Sequence, residues 1–322
     1  MKSIFKTLLI LSSVSLILTQ CKKKEQEDPQ IEEPVPAPTP SGINTISEVF
    51  TTQGAPTQTF NVASGVATTL TVNGVKIEIP ANAFLTSVGG STITGNVDVT
   101  VRTILDKSEI ILSGAGANST SGKLVSTKGC VKITASQNTQ ALRLLPGGGG
   151  LVVGVTDGTV SPPPMKEFYA GKISAVDSTK IWALGTSTAD IPSAFDSQLN
   201  KFVHKASLDS LKWLNVGTQF DTTGAKTAVT VSVSSQFNKT NSAIYLSFNG
   251  SLTVGALFEI SPGIFRISGM PVGKGAHLVA VAVINGQYYS AVQPLIISPT
   301  QVNLNLAATT ITQIKTQLST LP

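Results

Sequence analysis

The sequence predicts an all-β protein: two antiparallel β-sandwich domains with a short C-terminal helix. Three observations carry this. Charged residues make up only 13% of the 322 residues and aromatics 6%, while Thr, Ser, Val, Gly and Asn recur, a mixture that favours strands and turns over helices. Short runs alternate apolar and polar residues, as in Val75–Ile79, Val97–Arg102 and Thr227–Ser234, so each should bury one face. Turn signals separate the runs, above all Asn285-Gly286, whose residues both tolerate positive φ.

Lys2 and Lys6 precede an apolar run from Leu8 to Leu18, broken only by Ser12, Ser13 and Ser15. Its length fits a signal-peptide core and falls short of the roughly 20 residues that span a bilayer. Cys21 closes the run, with Leu18 three residues before it, Thr19 between, and Lys22-Lys23-Lys24 after it. These residues resemble the lipobox of bacterial lipoproteins of Bacteroidetes or spirochaete type, with Gln20 where the usual box has a small residue. The resemblance implies a signal peptide over residues 1–20 and a diacylglyceryl group on the Cys21 sulfur, with acylation of the new amino terminus. One acyl chain binds a membrane only marginally, with K on the order of 10⁴ M⁻¹, whereas two or more hold stably. Membrane lipid is therefore the expected partner of Cys21. The expected location is the outer membrane, lipid-anchored and facing the cell surface, with a periplasm-facing orientation as the alternative.

Residues 21–44 read as the lipidated cysteine and a disordered tether. Glu25, Glu27, Asp28, Glu32 and Glu33 make it acidic, and Pro34, Pro36, Pro38 and Pro40 alternate with other residues. Such a segment cannot bury a core. In polyproline II, at about 3.1 Å per residue, some 20 residues reach about 60 Å. Glu25-Gln26-Glu27-Asp28 resembles the acidic cluster that accompanies surface export in Bacteroidetes-type lipoproteins. The remaining charges are scattered, and the formal +5 forms no basic stripe of the kind nucleic-acid binding requires. No nucleic-acid partner is expected.

The first sandwich is expected over residues 45–185. Val75–Ile79 is a strand ended by Pro80, after which a turn plugs Phe84 inward. Val97, Val99 and Val101 share one face of the next strand, followed in turn by Ile110-Ile111-Leu112, a strand around Cys130, Ala141–Leu145 and Leu151–Val155. Val75–Phe84, the valine strand and Asp106–Ser113 are similar to a domain of Bacteroidetes-type lipoproteins that shares its strand order with the zona-occludens/uncoordinated-five β-sandwich. Met165–Gly171 with Trp182 matches a further short pattern of those lipoproteins. Some eukaryotic relatives of that sandwich cleave themselves at His-Phe-Ser; the tripeptide does not occur here, and autoproteolysis does not carry over.

The second sandwich is expected over residues 186–322. Ser207–Asn215 resembles the segment that links the two halves of those lipoproteins. Strands follow over Thr227–Ser234, Ala243–Phe248 and His277–Ile284, the last turning at Asn285-Gly286 into Gln287-Tyr288-Tyr289. Pro271-Val272-Gly273 resembles the tight turn of carboxypeptidase-regulatory-like, Ig-like sandwiches. Val302–Leu306 reads as the last strand. Thr310 and Gln313 have capping-box spacing, and Ile311, Ile314, Leu318 and Leu321 keep helical spacing.

Chemistry-bearing motifs are sparse. Gly147–Gly150 lacks the Gly-Lys-Ser/Thr of a phosphate loop and reads as a hairpin loop. Asp157-Gly158 lacks the repeated oxygen ligands of a calcium loop. No Gly-x-Ser-x-Gly or His-Glu-x-x-His occurs; His204 and His277 lie in separate segments and read as surface or strand histidines. Cys130 reads as a small buried hydrophobe. No cofactor or metal is expected. Tyr288 and Tyr289 point to opposite faces of one strand, so one should be core and the other is a candidate to stack on a sugar or a partner. Asp177-Ser178-Thr179, Asp209-Ser210-Leu211 and Asp221-Thr222-Thr223 resemble the O-glycosylation acceptor of Bacteroidetes-type proteins. The expected function is a non-enzymatic binding or structural module at the cell envelope, with a protein or glycan partner. The alternatives are an accessory subunit of an outer-membrane uptake or secretion assembly, and a hydrolase whose carboxylates meet only in the fold.

Overall fold

The computed structural model describes residues 41–88, 90–146, 151–173, 179–185, 190–220 and 223–322. The segments read as a signal peptide and a tether, up to residue 40 and including Cys21, the glycine run 147–150, and Asp177, Ser178, Asp221 and Thr222 of the acceptor-like triplets lie outside them. In chain order the elements are α1 (Ile46–Thr52), β1 (Thr57–Ala63), β2 (Thr68–Val72), β3 (Val75–Ile79), β4 (Phe84–Thr86), β5 (Asn96–Ile104), α2 (Lys107–Leu112), β6 (Val125–Gln137), β7 (Gln140–Leu144), β8 (Leu151–Asp157), β9 (Lys166–Ile173) and β10 (Lys180–Leu184). They continue with β11 (Ser193–Asp196), β12 (Lys201–Leu208), β13 (Trp213–Gln219), β14 (Lys226–Ser232), β15 (Ser242–Phe248), β16 (Val254–Ser261), β17 (Ile264–Pro271), β18 (Gly275–Ile284), β19 (Gln287–Ile296), β20 (Gln301–Asn303), β21 (Ala307–Thr309) and α3 (Ile311–Ser319).

The strands form three sheets. The first runs β1-β5-β6-β13-β9-β10, with β7 on β6 and β4 on β7; the second runs β11-β12-β8-β3-β2; the third runs β20-β14-β17-β16-β15-β18-β19-β21. Among the described strands all pairs are antiparallel except β14 with β20. The all-β expectation and the short C-terminal helix therefore hold. The expected division at residue 185/186 does not match the pairing. Strand β12 pairs with β8, and β13 lies between β6 and β9. The strands of the third sheet begin only at Lys226. Ser207–Asn215, read as a link between halves, is the end of β12 and the start of β13.

Three cores are stacked. The first lies between the first two sheets, with Val97, Val99 and Val101 of β5 and Ile133 of β6 facing Ile77 of β3 and Val153 of β8. The third is enclosed by the third sheet, with Val231, Leu246, Phe265 and Leu278. The middle core joins the first sheet to the third: Cys130, Phe168, Trp182 and Trp213 pack with Tyr245, Val279, Val281 and Val283, and all three helices contribute. Strand β18 explains how. Its odd-numbered valines enter the middle core, and Leu278 and Ala280 enter the third. A strand buried on both faces needs an unbroken apolar run rather than alternation, and Leu278–Ile284 is one.

Local signals placed most turns and caps. Asn285 and Gly286 take φ of +50° and +79° in the β18–β19 hairpin, and Phe84 is fully buried after the Pro80 turn. The α3 capping box forms, with Thr310 accepting from the Gln313 amide at 3.2 Å, and Ile314 and Leu318 are buried beneath it. Two expectations need correction. Ile110-Ile111-Leu112 is helical rather than a strand, because Asp106 caps α2 by accepting from the Glu109 amide at 2.8 Å. The last strand is β21, after β20 has ended at Asn303, rather than Val302–Leu306. Helix α1 was not anticipated, although Thr45 and Glu48 form a full capping box. Where the described chain begins, the Ser41 amide already donates to the Gly286 carbonyl at 2.7 Å.

Candidate functional site

The tyrosine pair divides between two surfaces. Tyr288 is buried in the middle core. Tyr289 is half-buried, with its ring edge-on to Phe237 at 5.3 Å between centroids, so its aromatic neighbour is within the chain. His204 is not at the surface. It is fully buried on β12, with Nε2 3.4 Å from Asp157 Oδ2 but without hydrogen-bonding geometry. Asp157 is held on its other oxygen by Lys128 at 2.8 Å. His277 is half-buried, with Nδ1 2.9 Å from the Asn249 amide oxygen. Cys130 is fully buried, and burial pushes its thiol up to about 12, which keeps the thiolate nucleophile out of reach at neutral pH.

A cleft of about 610 Å³ opens where α2 and β6 meet the β15–β16 turn and the end of α3. Its wall includes Lys107, which is 7% exposed. The Lys107 ammonium donates to the Phe248 carbonyl at 2.7 Å and to the Pro322 carbonyl, and burial lowers its pKa. Thr127, also in the wall, donates to Asn215 Oδ1 at 2.7 Å and accepts from the Gly129 amide. Asp106 lies in the wall as the cap of α2. Lys107, Thr127 and Asp106 of the cleft thus hold elements together.

The second site lies on the middle-core face of the first sheet. Register sets Arg102 of β5 opposite Lys132 of β6, and Lys132 opposite Trp213 of β13. Lys180, the first residue of β10, reaches the same indole. Its Nζ is 4.9 Å from the ring centroid, Lys132 Nζ is 5.8 Å away and Arg102 Cζ 6.0 Å. Cations gain from the face of an indole, but like charges directly opposite on neighbouring strands are destabilising. Among the described residues no ion pair involves any of the three. Glu109 acts on Arg102 only at longer range. Its Oε2 accepts from the Leu105 amide at 2.7 Å, and burial raises its pKa before any charge effect.

Lys180 is 6% exposed. Burial first, then the Arg102 charge, lower its pKa from 10.5 to about 8. The unfolded chain therefore binds the extra proton between about pH 8 and 10.5, and stability rises with pH across that window. Below pH 8 the full cost is present, on the order of 3 kcal/mol. Lys180→Met removes the charge but also its 2.7 Å bond to the Ser113 carbonyl. It is expected to stabilise the protein at pH 7 by about 1–3 kcal/mol. Urea unfolding at pH 7, 8, 9 and 10 checks this: the gain over wild type should shrink with pH, and parallel curves would refute it.

Neither site was found from the sequence. Arg102 and Lys132 alternate with core valines and isoleucines and so read as solvent-facing positions; only the strand order reveals that they share a row. Trp213 fell within the segment read as a link. No family model matches the chain, and no curated protein matches it.

Proposed function

We propose that this chain is an envelope lipoprotein whose folded part is a non-enzymatic binding or structural module, built as two β-sandwiches locked into one body. The observation that supports it most is the middle core. Residues from α1 to α3, including both tryptophans, are buried in it together, which favours a rigid body over two domains moving about a hinge. Lys107, Asp106 and Thr127 around the cleft are engaged in a cap and cross-ties, as befits a scaffold. The Cys21 lipobox and the proline-rich tether supply the anchor in this reading, and a protein or glycan is the partner.

Labelled palmitate is expected to enter the full-length protein and not its Cys21→Ala variant, which should leave the membrane fraction. Label persisting in the variant would refute anchoring at Cys21. Turnover of an envelope glycan or peptide by the purified full-length protein, at a rate above that of buffer, would refute the non-enzymatic reading.

A further inference from the structure

We propose that the Arg102–Lys132–Trp213 row with Lys180 is a binding site for a tetrahedral oxyanion, a phosphate group in particular. The inference does not rest on the envelope reading. Three cations surround one indole, so no two are further apart than the sum of two ring distances of 4.9–6.0 Å. Buried cations without a counter-charge are unfavourable, and among the described residues no carboxylate pairs with them.

Their donors are underused. Arg102 donates through Nη2 to the Phe50 carbonyl and Ser113 Oγ, both at 3.1 Å, while its Nε is buried without a partner. Lys180 uses one of its three N–H donors, on the Ser113 carbonyl. No hydrogen bond of the Lys132 ammonium is present among the described residues, and its Nζ lies over the Trp213 ring, 5.8 Å from the centroid. Trp213 and Lys180 are 6% exposed each, and Arg102 and Lys132 are half-buried, so an anion would meet the row from the Arg102 and Lys132 side. A guanidinium and two ammonium groups suit phosphate oxygens. More than one positive charge calls for more than one negative charge, and a phosphate monoester carries about −1.5 to −2 at neutral pH. A carboxylate would leave the row mostly uncompensated.

The two tryptophans make the site readable by fluorescence, because only Trp182 and Trp213 are present. Full-length protein is titrated with inorganic phosphate and, separately, with glucose 6-phosphate, at constant ionic strength held by chloride. A saturable emission change and a rising thermal midpoint are expected with phosphate and not with chloride. Lys132→Gln should weaken the response at least tenfold with an unchanged circular dichroism spectrum. Lys123→Gln, at an exposed lysine elsewhere, should leave it intact. Tighter binding of the sugar ester assigns the site to the end of a larger molecule; tighter binding of inorganic phosphate assigns it to the free ion. Equal responses to chloride and phosphate, no response at all, or a Lys132→Gln variant that binds like wild type would overturn the proposal.

Discussion

Trp182→Ala is expected to destabilise the protein by about 3–5 kcal/mol, the range for deleting a fully buried large aromatic side chain. Trp182 is 0% exposed in the middle core. Its indole Nε1 donates to the Gly116 carbonyl at 2.6 Å, and that acceptor would lose its partner. Its backbone is also fixed: the amide donates to the Asn118 carbonyl and the carbonyl accepts from Thr120, both at 2.8 Å. Strand β10 would therefore stay in place around the cavity, and little collapse could offset the loss. Trp182→Phe keeps most of the volume and should recover more than half of the effect. Urea midpoints of the two variants check this. A loss below 1 kcal/mol for the alanine variant would mean that the middle core does not bear on stability as described.

The second large effect is expected at Asn118, which is 9% exposed. Strand β17 pairs with β16 only from Phe258 onward. Before that point the free edge of β16 is taken by the segment ahead of β6. The Ala117 amide donates to the Val254 carbonyl at 2.6 Å. The Asn118 side chain then acts like a neighbouring strand: its amide donates to the Ala256 carbonyl at 3.0 Å and accepts from the Ala256 amide at 2.7 Å. Asn118→Ala leaves both backbone groups of Ala256 without those partners. At about 1–3 kcal/mol for each buried group left unpaired, a total loss of about 2–6 kcal/mol is expected. Wild type and variant should each unfold in one transition, because the seam and the middle core fail together. Two separated transitions in wild type would show that the sheets on either side are independent.

The tyrosine pair and the hairpin before it show where the sequence was readable. Asn285-Gly286 fixes its turn through the φ values those two residues alone tolerate easily, and the box at Thr310 and Gln313 fixes a helix start through a local hydrogen bond; both are information within four residues. The same kind of signal stands at Thr45 and Glu48, but the three buried apolar residues of that seven-residue helix, Ile46, Val49 and Phe50, give little periodicity. At α2 the run Ile110-Ile111-Leu112 looks like a strand, and only the Asp106 cap distinguishes it. Leu278–Ile284 held the largest hidden clue. A solvent-facing strand alternates; this one does not, and the missing polar face meant a second core. The candidate site was illegible for a further reason. Arg102, Lys132, Lys180 and Trp213 sit on four strands whose order, β5-β6-β13 with β10 beyond β9, follows from long-range pairing that no local pattern encodes.

The ends of the folded chain are tied crosswise. Ser41, at the start, is bonded to the β18–β19 turn near the end of the sequence, and Lys107, on the early helix α2, holds Pro322. Neither tie can close until the chain has been made as far as residue 286 in the first case and 322 in the second, so the early elements wait on late ones to complete the fold. Tension applied at residue 41 would meet the bond to the β18–β19 hairpin before it reached α1 or β1.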